Sequence, residues 1–100
     1  MLRITLQEEP KVLILKLEGR IADESLQEFE STWQKASRSL GLRTLCLDIR
    51  GVTFISAEGR QLLARIHSES HNEFRANTPL TTFLAEEAKR HRNSQDQKRM

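Results

Sequence analysis

Residues 11–49 carry the pattern that most constrains the fold. "KVLILKLEG", residues 11–19, holds Val12, Leu13, Ile14, Leu15 and Leu17, a run dense enough in apolar side chains for a central strand, with Gly19 to end it. The period then changes. Leu26, Phe29, Trp33, Ala36 and Leu40 recur at spacings of three and four, while Gln27, Glu28, Glu30, Gln34, Lys35 and Arg38 fill the opposite side, as in an amphipathic helix. Asp23 stands where a cap belongs and Gly41 where a helix stops. "LRTLCLDIRG" follows as another strand, with Leu42, Leu45, Leu47 and Ile49 apolar and Asp48 near its end. Two strands of one sheet joined through a helix run parallel, with a right-handed crossover.

The flanks extend this unit. Leu2, Ile4 and Leu6 alternate with Arg3, Thr5 and Gln7, so residues 2–7 predict a half-buried strand, turned at "EEP" into an N-terminal hairpin. After the second long strand, "VTFIS" continues extended, and Ser56 caps a second helix that turns Leu62, Leu63 and Ile66 inward. "FRAN", residues 74–77, leaves room for a short fourth strand. "TPLTTFLAEEAKRHR" predicts a third helix, with Thr78 as cap, Pro79 at the first position and Leu80, Phe83, Leu84 and Ala88 on one stripe. The expected architecture is α/β: a mixed sheet of about four strands, with helices packed mainly on one face. Ile14, Leu15, Leu45, Leu47, Leu62, Leu63 and Ile66 form its expected core. A single domain over residues 1–92 would be followed by a flexible basic tail, 93–100, with nothing to bury.

Several functions are disfavoured by composition. A net charge of +2 in 100 residues is too small for a nucleic-acid binder, and the basic C-terminal segment "KRHRNSQDQKR" lacks interleaved aromatics. The single cysteine, Cys46, suits a reducing compartment and reads as a buried small hydrophobe. There is neither a signal-peptide core nor an apolar run of membrane-spanning length, so the expected location is cytoplasmic, without membrane insertion. His67 and His71 have a spacing that metals use, but no third ligand accompanies them, so no metal site is expected. Neither a nucleophile–base pair nor a phosphate-cradling loop is evident, so no catalytic residue, cofactor or enzymatic activity is expected.

The order β-β-α-β-α-(β)-α, with "LKLEGRIADESLQEFE" and "LCLDIRGVTFISAEGRQLL" in place, resembles the STAS domain, the family of the bacterial anti-sigma factor antagonists. Asp48-Ile49-Arg50 matches the family's Asp-Leu-Ser strand end. Val52-Thr53-Phe54-Ile55 matches its aromatic–aliphatic step, and Ser56-Ala57-Glu58-Gly59 its Asp-Ser-Ser/Ala-Gly turn into a helix. The resemblance implies a regulatory module that binds a protein partner through the loop and first turns of helix two. The residues it points to are Ser56, Ala57, Glu58, Gly59 and Arg60, with Asp23 and Asp48 at neighbouring strand ends. Where antagonists of this family carry a phosphorylated serine, this chain has Glu58. The family's acid after the second strand falls on Ala22, with Asp23 one place late, and Arg60 replaces an apolar residue.

A helix N-terminus stabilises anions, which explains a phosphate switch at that place. Glu58 fits two readings: a fixed mimic of phosphoserine, or an acid favoured by the helix dipole alone. Ser56 likewise reads as a cap or as a relocated phosphorylation site, and Gly59 as room for a partner's backbone. Two partner classes follow from the resemblance. One is an anti-sigma factor of the serine-kinase type. The other is the ATPase of a bacterial lipid-transport complex, to which a STAS-like accessory subunit docks. A homodimer is compatible with either.

Overall fold

The computed structural model describes the backbone of residues 1–98 and the side chains of residues 1–90. Four strands form one sheet in the order β1 (Leu2–Glu8), β2 (Val12–Ile21), β3 (Thr44–Ile55) and β4 (Glu73–Arg75). β1 is antiparallel to β2, while β2–β3 and β3–β4 are parallel. The helices are α1 (Glu24–Arg38), α2 (Ala57–Ser70) and α3 (Pro79–Lys98). The mixed four-stranded α/β sheet, the hairpin and the parallel crossover are as expected. The expectation of an unanchored tail over 93–100 concerns side chains that lie outside the described residues.

One core holds the layers together. Leu13, Leu15 and Leu17 of β2 and Leu45, Leu47 and Ile49 of β3 pack with Phe29 and Trp33 of α1, Leu62, Leu63 and Ile66 of α2, and Leu84 of α3. Side chains alternate across a strand, so these odd-numbered positions face the helices. Ile14, Cys46 and Asp48 occupy the other face. Ile14 is buried, as expected, yet stands apart from the helix-side core. Cys46 is buried beside it, and that burial pushes its thiol pKa up.

The first correction to the sequence reading concerns β3, a single strand from Thr44 to Ile55. Leu42 precedes it in an exposed turn. Register shifts opposite Lys16–Glu18 and Gly19–Arg20 insert extra residues into β3. They place Ile49, Val52 and Ile55, three apart, against the helix-side core. β2 also continues past Gly19 to Ile21. Gly19 has φ +106°, and a Cβ there would stand 2.3 Å from the Met1 carbonyl oxygen, so the glycine accommodates the hairpin instead of ending the strand.

Asp48 is therefore in mid-strand, not at a strand end near helix two. It is 3% exposed, on the sheet face opposite the core cluster. Arg50 Nε donates to Asp48 Oδ1 at 2.9 Å, Arg50 Nη2 donates to Oδ2 at 2.8 Å, and the Arg50 amide donates to Oδ1 at 3.2 Å. These bonds from Arg50 hold the carboxyl below its ordinary pKa. Asp48 belongs to the sheet's own electrostatics, and its expected place on the partner surface is withdrawn.

The β2–α1 junction departs from expectation as well. Asp23 occupies the N-cap position, but its side chain makes no cap bond. The work falls to Ser25, whose Oγ accepts from the Ala22 amide at 2.9 Å and donates to the Ala22 carbonyl at 2.7 Å. Asp23 has φ 54° and ψ −123°, and the Ser25 amide bonds the Ala22 carbonyl at 3.1 Å across it. That is the first central position of a type II′ turn, where glycine is unstrained.

α3 packs through Thr81, Leu84, Ala85 and Ala88. Leu80 and Phe83, expected on the buried stripe, are 38% and 46% exposed. Thr78 caps as expected: Thr81 N–H donates to its Oγ1 at 3.0 Å. Thr81 Oγ1 accepts in return from the amides of Asn77 and Thr78 at 3.1 and 3.0 Å.

Two stability measurements check these assignments. Asp23→Gly relieves the backbone and should raise unfolding stability by about 1 kcal/mol, several degrees in Tm. Asp48→Asn should lower stability by about 2 kcal/mol at neutral pH, the worth of charge-assisted bonds to a buried carboxylate. The depressed folded pKa fixes the sign. The difference between wild type and Asp48→Asn should hold steady above the unfolded carboxylate's pKa of about 3.9. It should then close as pH falls through the lower folded value. Urea titrations at stepped pH measure both.

Candidate functional site

Because β2 and β3 are parallel, the loops that follow them leave the same edge of the sheet. The Ser56 amide joins them, donating to the Ile21 carbonyl at 3.0 Å. Ser56 is extended (φ −78°, ψ 169°) and its Oγ accepts the Gly59 amide at 3.1 Å. The expected cap is present, and the Arg60 amide bonds the Ser56 carbonyl at 3.0 Å to begin the helical ladder. The hydroxyl oxygen is therefore committed to the helix start.

Gly59 is buried, which corrects its expected role. A Cβ there would lie 2.6 Å from Ile55 Cγ1, 3.1 Å from Ile21 Cγ2 and 3.2 Å from the Ile21 carbonyl oxygen. The glycine brings the first turn of α2 down onto the ends of β2 and β3. It makes room for this chain's own strands and presents no surface to a partner.

The remaining residues divide around the helix. Glu58 is exposed in the first turn and lines a groove of about 560 Å³ between α1 and α2, together with Leu26, Glu30, Gln61, Leu62 and Arg65. The groove is crossed by an ion pair between Arg65 and Glu30, and the Arg65 guanidinium stands 5.6 Å from the Trp33 ring centroid. On the other flank, Ala57, Arg60, Gln61 and Ala64 face α3 around a smaller hollow of about 220 Å³, closed by Glu87. Arg60 Nε donates to Glu87 Oε1 at 2.8 Å, and its Nη2 pairs with Oε2. This pairing raises the arginine's pKa further. The same guanidinium stands 5.9 Å from the Phe83 ring centroid.

The loop and first turns of α2 therefore bring together Ser56, Ala57, Glu58 and Arg60, with Asp23 across the shared edge. Gly59 lies beneath them and Asp48 is elsewhere. Sequence reasoning missed Gln61, Phe83 and Glu87. The signal for the first was present: positions 57, 60, 61 and 64 are spaced as one helical stripe, with alanine at both ends.

Chemically, the arrangement offers a fixed surface: one exposed carboxylate in a helix first turn, one guanidinium pinned by a neighbour, and an exposed aromatic ring beside it. Among the described residues, no group of three or more His, Cys, Asp or Glu is placed to hold a metal ion. Nor is any helix among them long and apolar enough to cross a membrane.

Neither a family model nor a curated protein matches the chain. Solved structures do match its fold. A crystal structure of Mglu aligns over 75% of this chain with a TM-score of 0.58 and 22% identity. The native form of Mglu aligns over 74% with a TM-score of 0.53 and 18% identity. The matched parts are 19% and 22% of those chains, so this chain spans about a fifth of the length of the structures it matches. At these identities the likeness is one of fold.

Proposed function

We propose that this chain is a non-enzymatic, protein-binding regulatory module similar to the anti-sigma factor antagonists. Its partner is a kinase-type anti-sigma factor in the cytoplasm. The binding surface is the exposed ridge of the first turns of α2, Ala57, Glu58, Arg60 and Gln61, with Phe83 and Leu80 of α3 as apolar anchors. Exposed aromatic residues beside a fixed polar rim are what protein interfaces bury at their centre.

The observation that carries this reading is the state of the α2 N-terminus. Glu58 is exposed there while Ser56 Oγ is already committed to the Gly59 amide. A permanent negative charge thus stands where the family's antagonists acquire one by phosphorylation. In this reading the chain is fixed in the form that a phosphorylated antagonist reaches reversibly. A carboxylate carries about half the charge of a phosphate, so its repulsion of the partner is correspondingly weaker.

The committed Ser56 also favours a second reading: a STAS-like accessory subunit docked on the ATPase of a bacterial lipid-transport complex. There the same ridge binds constitutively and Glu58 is itself a contact.

Affinities of wild type, Glu58→Ser and Glu58→Gln for the kinase-type anti-sigma factor and the transport ATPase of the source organism separate the two. The switch reading expects both variants to bind the anti-sigma factor roughly five- to tenfold more tightly. Phe83→Ala, placed in the Glu58→Gln background, should cancel most of that gain. Loss of ATPase binding in both Glu58 variants supports the docking reading. No change against either partner makes Glu58 a helix-dipole acid and defeats both.

A further inference from the structure

β1 is bonded to β2 on one side and has no strand on the other among the described residues. Its ladder continues to Met1, whose carbonyl accepts the Arg20 amide at 3.2 Å. In an antiparallel ladder, residues exchange hydrogen bonds at every second pair. Met1 stands opposite Arg20 in the register that sets Leu2 against Gly19. Arg3, Thr5 and Gln7 therefore spend their backbone groups on β2. Leu2, Ile4, Leu6 and Glu8 turn theirs to the open edge.

Exposed edges are usually blunted by shortness, proline, bulges or inward-pointing charge. The opposite edge, β4, is three residues long. β1 is seven residues long, contains no proline, and pairs with β2 without a register shift. Its apolar side chains run out to the margin: Leu2 is buried, Ile4 is half-buried and Leu6 is 43% exposed on the helix side.

We propose that β1 pairs antiparallel with β1 of a second copy of this chain, about a twofold axis at Thr5, to make one continuous eight-stranded sheet. This register uses all seven residues. Leu2 stands opposite the second copy's Glu8, Arg3 opposite its Gln7, and Ile4 opposite its Leu6. The hydrogen-bonding pairs are then the even-numbered residues whose backbone groups are unspent. On the helix side, two Ile4–Leu6 pairs join the apolar layers of the two copies. No like charges face each other. Glu8, the one charge on that side, is held by Arg43 Nη1 at 3.1 Å. A second copy is the occupant because this strand complements itself in hydrogen-bond parity, apolar content and charge at a single register.

Thr5 meets its own copy as a non-hydrogen-bonded pair, with Cα atoms about 4.5 Å apart, within the span of a disulfide. The 100-residue chain is weighed by light scattering from micromolar to hundreds of micromolar, and variants carrying one introduced cysteine besides Cys46 are mildly oxidised. The wild type should reach twice the 11.6 kDa chain mass. Leu6→Lys should remain a monomer with an unchanged circular dichroism spectrum. Thr5→Cys should form a covalent dimer. Arg3→Cys should not, since its own copy lies several residues away, nor should the wild type, whose Cys46 is buried. If Leu6→Lys fails to fold, the contrast between Thr5→Cys and Arg3→Cys decides alone. A wild type that stays monomeric at the highest concentration overturns the proposal, even if it takes up a strand from another protein. So do a dimer that survives in folded Leu6→Lys and equal cross-linking at positions 3 and 5.

Discussion

The seating of α2 on the ends of β2 and β3 is the constraint on which the site depends. Two features make it: the missing Cβ of Gly59, which lets the first turn approach Ile21 and Ile55, and the Ser56 amide bonded to the Ile21 carbonyl. One sets distance and the other sets height. With both satisfied, the position of Glu58 follows from helix geometry, two residues past the cap and on the exposed side. A fixed helix start is also what gives a fixed charge meaning, since an anion on a fraying turn would be averaged over many positions.

That seating depends in turn on the sheet. The two register shifts in β3 allow Ile49, Val52 and Ile55 all to reach the helix-side core. With plain alternation from Ile49, Val52 would point to the opposite face. The bulges adjust the strand just before it delivers Ser56. The opposite face is organised separately, by the buried Asp48 and its bonds from Arg50. This division explains why two acids that the family resemblance groups together have different roles here. Asp23 stays at the shared loop edge, and Asp48 is structural.

Much of the fold was legible because changes of hydrophobic period mark it. The dense run at 12–17 and the spacing of Leu26, Phe29, Trp33 and Ala36 carried the crossover and the parallel pair. What was not legible has physical reasons. A bulge leaves no compositional mark, so the extended continuation of β3 read without the register shifts that turn Val52 toward the core. Asp23 has the composition of a cap, but its backbone conformation gives that task to Ser25. In α3, a stripe begun at Leu80 would turn Glu87 inward at the seventh position. A stripe begun at Thr81 ends on Ala88, and the structure follows it by satisfying the threonine hydroxyl within the cap. Leu80 and Phe83 are left at the surface as a result. Glu87 becomes the partner of Arg60, and that flank of the candidate site appears only once α3 is rotated correctly.

The central claim is that a protein partner docks on the α2 ridge and the adjoining side of α3. Amide hydrogen exchange of the chain, alone and saturated with its partner, tests it most directly. The account predicts slowed exchange confined to peptides spanning residues 56–64 and 79–87, with residues 46–50 unchanged. Protection centred on residues 46–50 and 73–75, with the α2 ridge exchanging as in the free chain, would contradict it.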